Sequence, residues 1–209
     1  MVALESLIDT LRERLKTEAV VRVPASLEEY FELIQDCEFD VEYIDHEIVA
    51  TMSQASEIHE LLVANFIGLL FIKFQTKPSY RVYGSNRPIY VADCQRAFNA
   101  DALVVKGKTE LFQRERAIAA TLNPMIVVEV LSESNKDKDF TEKLNCYKKI
   151  PSLQQIIQID QYKPFVSTYV RLPQPHQWLN TDYNSMDELI LVSDFEIPMR
   201  DLYRNVFES

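Results

Sequence analysis

Glycine is nearly missing: Gly68, Gly84 and Gly107 are the only three in a chain of 209 residues. Neither a G-x-G-x-x-G turn nor a P-loop can be assembled from three isolated glycines, which excludes the common backbone cradles for nucleotide phosphates. Histidine and cysteine are equally scarce. The histidines (His46, His59, His176) and cysteines (Cys37, Cys94, Cys146) contain no C-x-x-C and no pair at zinc-ligand spacing, so no zinc motif can be drawn. An odd number of widely spaced cysteines is also no disulfide framework. No G-x-S-x-G elbow is present, and with it goes the usual serine-hydrolase arrangement. The N-terminal stretch MVALESLIDTLRERLK is amphipathic and mixed in charge, lacking the apolar centre of a signal peptide. The longest apolar stretch, 61–74, is interrupted by Asn65 and Lys73 and is too short and too polar to span a bilayer. A cytoplasmic location is the expectation.

What remains is a globular composition, 47% apolar and 26% charged, sufficient for a real core. The net charge of −10 argues against a nucleic-acid partner until its distribution is considered. Residues 1–70 carry 4 basic and 15 acidic side chains, whereas 71–120 carry 9 basic and 4 acidic. A basic middle segment inside an acidic protein is either a solvated face of mixed charge or a phosphate-facing surface, with Arg81, Arg87 and Arg96 as its candidates.

No repeat, low-complexity tract or Pro/Gly/Ser linker divides the chain. The spacing of Leu4, Leu7, Ile8, Leu11 and Leu15 predicts an amphipathic helix over 3–17. Residues 1–25 are therefore read as a helical extension and 26–209 as one domain. Ser26 with Glu29 has capping-box spacing and opens a short helix. Alternation over 39–51 around Asp45-His46 predicts a hairpin. Ser53 or Ser56 would cap a long helix reaching about Phe74. Strands are expected at 80–82, 89–91, 100–106, 125–131, 153–160 and 165–171, and 108–123 reads as part helix, part loop. Asp137 or Asp139 would cap a helix reaching Ile150, and 199–207 would form a closing helix. The order is that of an α/β or α+β protein, a mixed sheet flanked by helices.

Two acids stand inside otherwise apolar strands: Asp101 in ADALVV and Glu129 in IVVEVL. An ionised carboxylate there needs a cation, a hydrogen-bonded partner or a place at a strand end. On neighbouring strands the two could share one hard cation such as Mg²⁺; alternatively either pairs with an Arg or Lys, or faces water. Lys143 follows in the helix after the Glu129 strand. Its ammonium is either an ordinary surface charge or one that returns to the same end of the sheet to orient a water or offset charge on a phosphate.

These residues fall within a pattern that resembles a bacterial restriction-endonuclease-like family in the PD-(D/E)XK nuclease superfamily. Ser26-Leu-Glu-Glu-Tyr30 matches its short helix, and Glu42-Tyr-Ile-Asp-His-Glu-Ile-Val49 with Met52-Ser53 matches its hairpin. His59 lies near the start of the next helix, Asn99-Ala-Asp-Ala-Leu-Val-Val105 aligns with the R-P-D-x-x-V-V strand, and Val127-Val-Glu-Val-Leu-Ser132 is intact. So is the D-x-x-E-K-x-x-x-Y helix, as Asp139-Phe-Thr-Glu-Lys-Leu-Asn-Cys-Tyr147. The departures are Asn99 and Ala100 for Arg-Pro, His46 for the hairpin glycine, Leu131 where the superfamily lysine usually stands, and no tryptophan near Gln155-Ile156.

The resemblance implies a restriction-endonuclease-like mixed β-sheet flanked by helices, and an endonuclease that hydrolyses phosphodiester bonds of nucleic acid, DNA first among them. Asp101 and Glu129 would hold Mg²⁺ (or Mn²⁺), with a backbone carbonyl assisting. Lys143 would substitute for the lysine absent at Leu131, and Glu42 and His59 would border the cleft. A homodimer would suit cleavage of two strands. The rival reading is a catalytically weak nuclease-fold module that binds nucleic acid or a protein partner.

Overall fold

The structure, a computed structural model, describes residues 2–52, 56–85, 87–112, 115–131 and 138–207. In chain order its elements begin with α1 (Val2–Leu15), β1 (Val20–Pro24), α2 (Leu27–Leu33), β2 (Asp40–Ile44), β3 (Glu47–Thr51), α3 (Glu57–Phe74) and β4 (Tyr80–Gly84). There follow β5 (Pro88–Val91), β6 (Arg96–Asn99), β7 (Ala102–Lys106), β8 (Leu111–Phe112), β9 (Ala120–Thr121), β10 (Ile126–Leu131) and α4 (Lys138–Tyr147). The chain ends with β11 (Gln155–Asp160), β12 (Val166–Arg171), β13 (Trp178–Tyr183), β14 (Leu189–Val192), β15 (Phe195–Pro198) and α5 (Met199–Leu202). The fold is mixed α+β, sheets flanked by helices. None of the described helices is long and apolar enough to cross a membrane.

The described chain separates into two compact units made of interleaved segments. One comprises 1–54, 87–99 and 110–122, the other 55–86, 100–109 and 123–209. The first contains a seven-stranded sheet in the order β1-β3-β2-β6-β5-β9-β8. Its core joins Leu11 and Leu15 of α1 and Tyr30, Phe31 and Leu33 of α2 to Val21, Val41, Tyr43 and Ile48 of the sheet. The expected partition at residue 25 therefore differs from the observed one. The apolar stripe of α1 is buried in the same core as α2, so the helix is a part of this unit and not an appendage to it.

The capping box at α2 forms as its spacing implies. Ser26 N–H donates to Glu29 Oε2 at 2.7 Å and Glu29 N–H to Ser26 Oγ at 3.2 Å. The Ser26 N–H, with the Ser26 hydroxyl donating to the same oxygen at 2.8 Å, holds the Glu29 carboxyl below the usual carboxylate range. Ser26→Ala should cost about 1 kcal/mol and lower Tm by about 3 °C in a calorimetric scan. The hairpin β2–β3 turns at Asp45 and His46, with φ of 52° and 65°, the left-handed pair a two-residue turn between twisted strands requires. His46 thus adopts, with a side chain, the conformation that glycine takes without strain.

The second unit is built on a six-stranded sheet, β13-β12-β11-β10-β7-β4, together with the small β14–β15 pair. β10 and β11 run parallel, joined across α4, while the other neighbours in this sheet are antiparallel. The period-two alternation of strands divides each apolar run between two faces. Val128 and Val130, with Ala102, Val104, Ile157 and Ile159, pack on Leu62, Phe66, Leu70 and Phe74 of α3. Glu129, one residue out of phase, points to the opposite face, where it meets Tyr147 of α4.

Several expectations needed revision. Residues 108–123 contribute the two-residue strands β8 and β9 in place of a helix. Residues 178–198, read without strands, supply β13, β14 and β15, because pairing across the hairpins β12–β13 and β14–β15 overrides weak local patterns. The closing helix ends at Leu202, well short of 207. The caps expected at Ser53 and Asp137 lie outside the described residues, Asp139 falls within α4, which begins at Lys138, and Ser56 caps α3.

Candidate active site

The parallel pairing of β10 with β11 and the antiparallel pairing with β7 decide which side chains share a face. Val128 is opposite Ala102, so the next positions, Glu129 and Asp101, are neighbours across the strand pair. Asp101 sits just before β7 and is fixed at both ends. Its N–H donates to Val128 O at 3.1 Å, and its Oδ2 accepts Val130 N–H at 2.6 Å. Asp101 and Glu129 are thus held on adjacent strands by the ladder itself.

Glu129 is only 4% exposed, a burial that an isolated carboxylate could not sustain. It is satisfied from α4. Lys143 Nζ lies 3.0 Å from its Oε1, and Tyr147 OH donates to the same oxygen at 2.7 Å. The four-residue spacing of Lys143 and Tyr147 places both on one helical face, so a single turn of α4 provides a cation and a neutral donor. The helix is anchored at its far end by Arg171, which donates to the carbonyls of Lys148 and Ile150 at 3.0 and 2.7 Å while stacking on Trp178.

His59 reaches Asp101 from the first turn of α3, its Nε2 3.3 Å from Oδ1. That bond to Asp101 raises the imidazole above its ordinary pKa, outweighing the opposing effect of partial burial. His59 Nδ1 is buried with no hydrogen-bond partner among the described residues, and the Glu60 carboxylate lies 3.8 Å away. The helix start is tied to the sheet by Gln161: Ser56 Oγ, which accepts His59 N–H, donates to Gln161 Oε1 at 2.6 Å, and Gln161 Nε2 donates to Leu131 O at 3.2 Å.

Of the five residues singled out from the sequence, four lie in the second unit, where His59 pairs with Asp101 and Lys143 with Glu129. Glu42 belongs to the first, where its Oε1 accepts Asn99 N–H at 3.1 Å. Asp101 and Glu129 are the hard oxygen donors that Mg²⁺ or Mn²⁺ prefers. Among the described residues no group of three or more His, Cys, Asp or Glu is placed to hold a metal. One or two carboxylates completed by waters and substrate phosphates are the usual protein contribution to a Mg²⁺ site, so the donor set fits such a cation.

The residues of the basic middle segment divide between the two units, and Arg81, Arg87 and Arg96 are already engaged. Arg96 forms a bidentate pair with Asp45 at 2.6–3.0 Å. Arg87 Nε donates to Thr121 Oγ1 at 2.8 Å, and Arg81 donates to Gly107 O. Even so, charge is unevenly shared: the unit that carries the four residues has 14 basic and 16 acidic side chains, the other 8 and 16. Tyr147, which no charge or metal argument singles out in the sequence, is a direct partner of Glu129; its four-residue spacing from Lys143 is the available signal.

Comparison with known proteins gives a consistent result. A family model described as "Uma2: Putative restriction endonuclease" matches residues 27–200. An uncharacterized protein of Synechocystis sp. is 28% identical over 154 residues, covering 74% of this chain and 84% of its own. The crystal structure of a putative nuclease belonging to DUF820 from Anabaena variabilis superposes with a TM-score of 0.70 at 19% identity, over 88% of this chain and 100% of that one, which shows a shared fold.

Proposed function

The chain belongs to the Uma2 family of putative restriction endonucleases, and on that footing we propose that it is a divalent-metal-dependent endonuclease acting on DNA. The observation that carries this reading is the buried Glu129 carboxylate, 3.0 Å from the Lys143 ammonium and on the strand next to Asp101. A cation, a buried acid and a second acid at the adjoining strand position form a set suited to phosphodiester hydrolysis.

Asp101 and Glu129 would hold the divalent cation, which when bound supplies charge neutralisation at the phosphate and acidity for the attacking water. Lys143, a compact charge on a flexible stem, orients that water and offsets charge on the non-bridging oxygens. The water oxygen bonds to phosphorus in line with the bridging P–O bond that breaks; the water gives up a proton to bulk solvent as it attacks, and the leaving oxygen takes one up from solvent. His59 positions Asp101 through Oδ1. Glu42 is assigned no step, because its carboxylate is engaged by Asn99. Cutting both strands of a duplex with one such site per chain calls for two copies, and a cytoplasmic site of action suits a DNA substrate.

Supercoiled plasmid incubated with the protein should be nicked or linearised in Mg²⁺ or Mn²⁺ and left intact in excess EDTA, read on an agarose gel. Salt-sensitive binding with no cleavage in any divalent ion would instead favour a nuclease-fold module that only binds nucleic acid.

A further inference from the structure

Gln158 lies between Ile157 and Ile159 in the central strand QIIQID, every residue of which is buried. The parallel register pairs it directly with Glu129, so the two side chains leave the same face of adjacent strands, whose backbones lie about 4.8 Å apart. Gln158 is 5% exposed, and its Nε2 is buried with no hydrogen-bond partner among the described residues. Buried amide donors are nearly always satisfied, and an exception asks for a reason.

The surroundings narrow what the donor can serve. On its other side Gln158 faces Ser167 of β12. The Ser167 hydroxyl is committed, donating to Asp182 Oδ1 at 2.7 Å and accepting from Asn180 Nδ2 at 2.8 Å. An amide N–H cannot ligate a cation; it needs an acceptor, and the acidic acceptor in the neighbouring strand position is Glu129. In the arrangement observed, Lys143 and Tyr147 both approach Glu129 through Oε1, from α4 and not from the strand side.

We propose that Gln158 is a positioning residue for Glu129: its amide takes up a carboxylate oxygen of Glu129 when that group turns from Lys143 to hold a divalent cation. This rests on the metal-site reading given above. It assigns the orphaned donor to the loaded site and accounts for a polar residue kept where an aliphatic one would pack better. Donors that fix a ligating carboxylate typically change metal affinity by 10- to 100-fold when removed, whereas replacing an unpaired buried polar group by an apolar one of similar shape is neutral or stabilising to the protein itself.

The test is Mn²⁺ binding by the full chain without nucleic acid, titrated by electron paramagnetic resonance, with thermal denaturation of each variant in EDTA. Gln158→Leu, and Gln158→Met should the leucine variant fold poorly, are expected to weaken Mn²⁺ binding about tenfold while Tm in EDTA stays equal or rises. Unchanged Mn²⁺ affinity in a folded variant overturns the assignment and leaves the nuclease reading intact. A fall in Tm with unchanged affinity marks Gln158 as merely structural, which also overturns it. If wild type binds Mn²⁺ no better than Asp101→Asn, the metal site itself is wrong and the proposal falls with it.

Discussion

Asp101→Asn should lower metal-dependent cleavage by about a thousandfold or more while leaving the fold intact. The loss is that of one preorganised charged group at a reacting phosphate, for which two to three orders of magnitude is typical. The fold should survive because an asparagine oxygen can still accept the Val130 N–H, the bond that ties this position to β10, and its amide meets a neutral His59 without repulsion. Glu129→Gln should behave alike in cleavage. Affinity for DNA should be equal or higher, since one negative charge is removed beside the phosphates. Single-turnover cleavage of a labelled duplex, paired with circular dichroism and a binding titration, separates these effects. Cleavage within tenfold of wild type by either variant would remove both acids from the chemistry.

Lys143→Met is expected to have the largest effect on stability outside the hydrophobic core. The Lys143 and Glu129 side chains are 14% and 6% exposed, and a buried pair deprived of one member leaves the other charge uncompensated, at a cost of about 3–5 kcal/mol. Tyr147 OH continues to hold Glu129 Oε1, so the lower end, about 3 kcal/mol, is expected. The double variant Lys143→Met with Glu129→Gln removes both charges and should recover most of that loss, because a neutral amide in the same place needs only hydrogen bonds. Cleavage should be lost in the single and the double variant alike. Urea denaturation of the four proteins of the cycle yields the coupling directly. A single variant as stable as wild type would mean that the ion pair contributes nothing to the folded state.

The two variants divide stability from chemistry in a way that suits the place of these residues. Asp101 is anchored by backbone donors, so its replacement is structurally mild. Glu129 takes an ion pair and a hydrogen bond from side chains of α4, so disturbing these partners reaches the packing of that helix.

Local signals in the sequence carried a good deal. The α2 cap was readable because Ser26 and Glu29 make their contacts within one turn. The β2–β3 hairpin was readable because alternation and a two-residue turn are both short-range. Asp101, Glu129 and Lys143 stood out because ionisable groups in apolar strands, and a lysine just after one of them, are costly or purposeful wherever they occur. The strands β13, β14 and β15 were not readable, since WLNTDY and its successors have little alternation and owe their form to pairing with β12 and with each other.

The amino-acid order by itself determined the mixed α+β class, most of the helices and central strands, and the identity of the acids and the lysine, all of which depend on periodicity or on the free energy of burying charge. Only the tertiary structure decided the rest. It chose the register that sets Glu129 beside Asp101 on one side and Gln158 on the other. It made Tyr147 a partner of Glu129, brought the Glu42 carboxylate to the Asn99 N–H, and gave Arg81, Arg87 and Arg96 their hydrogen-bond partners. It also carried α1 into a core and broke the chain into interleaved units. These outcomes depend on contacts between residues tens of positions apart, where a shift of one residue in strand register would move every one of those side chains to the opposite face.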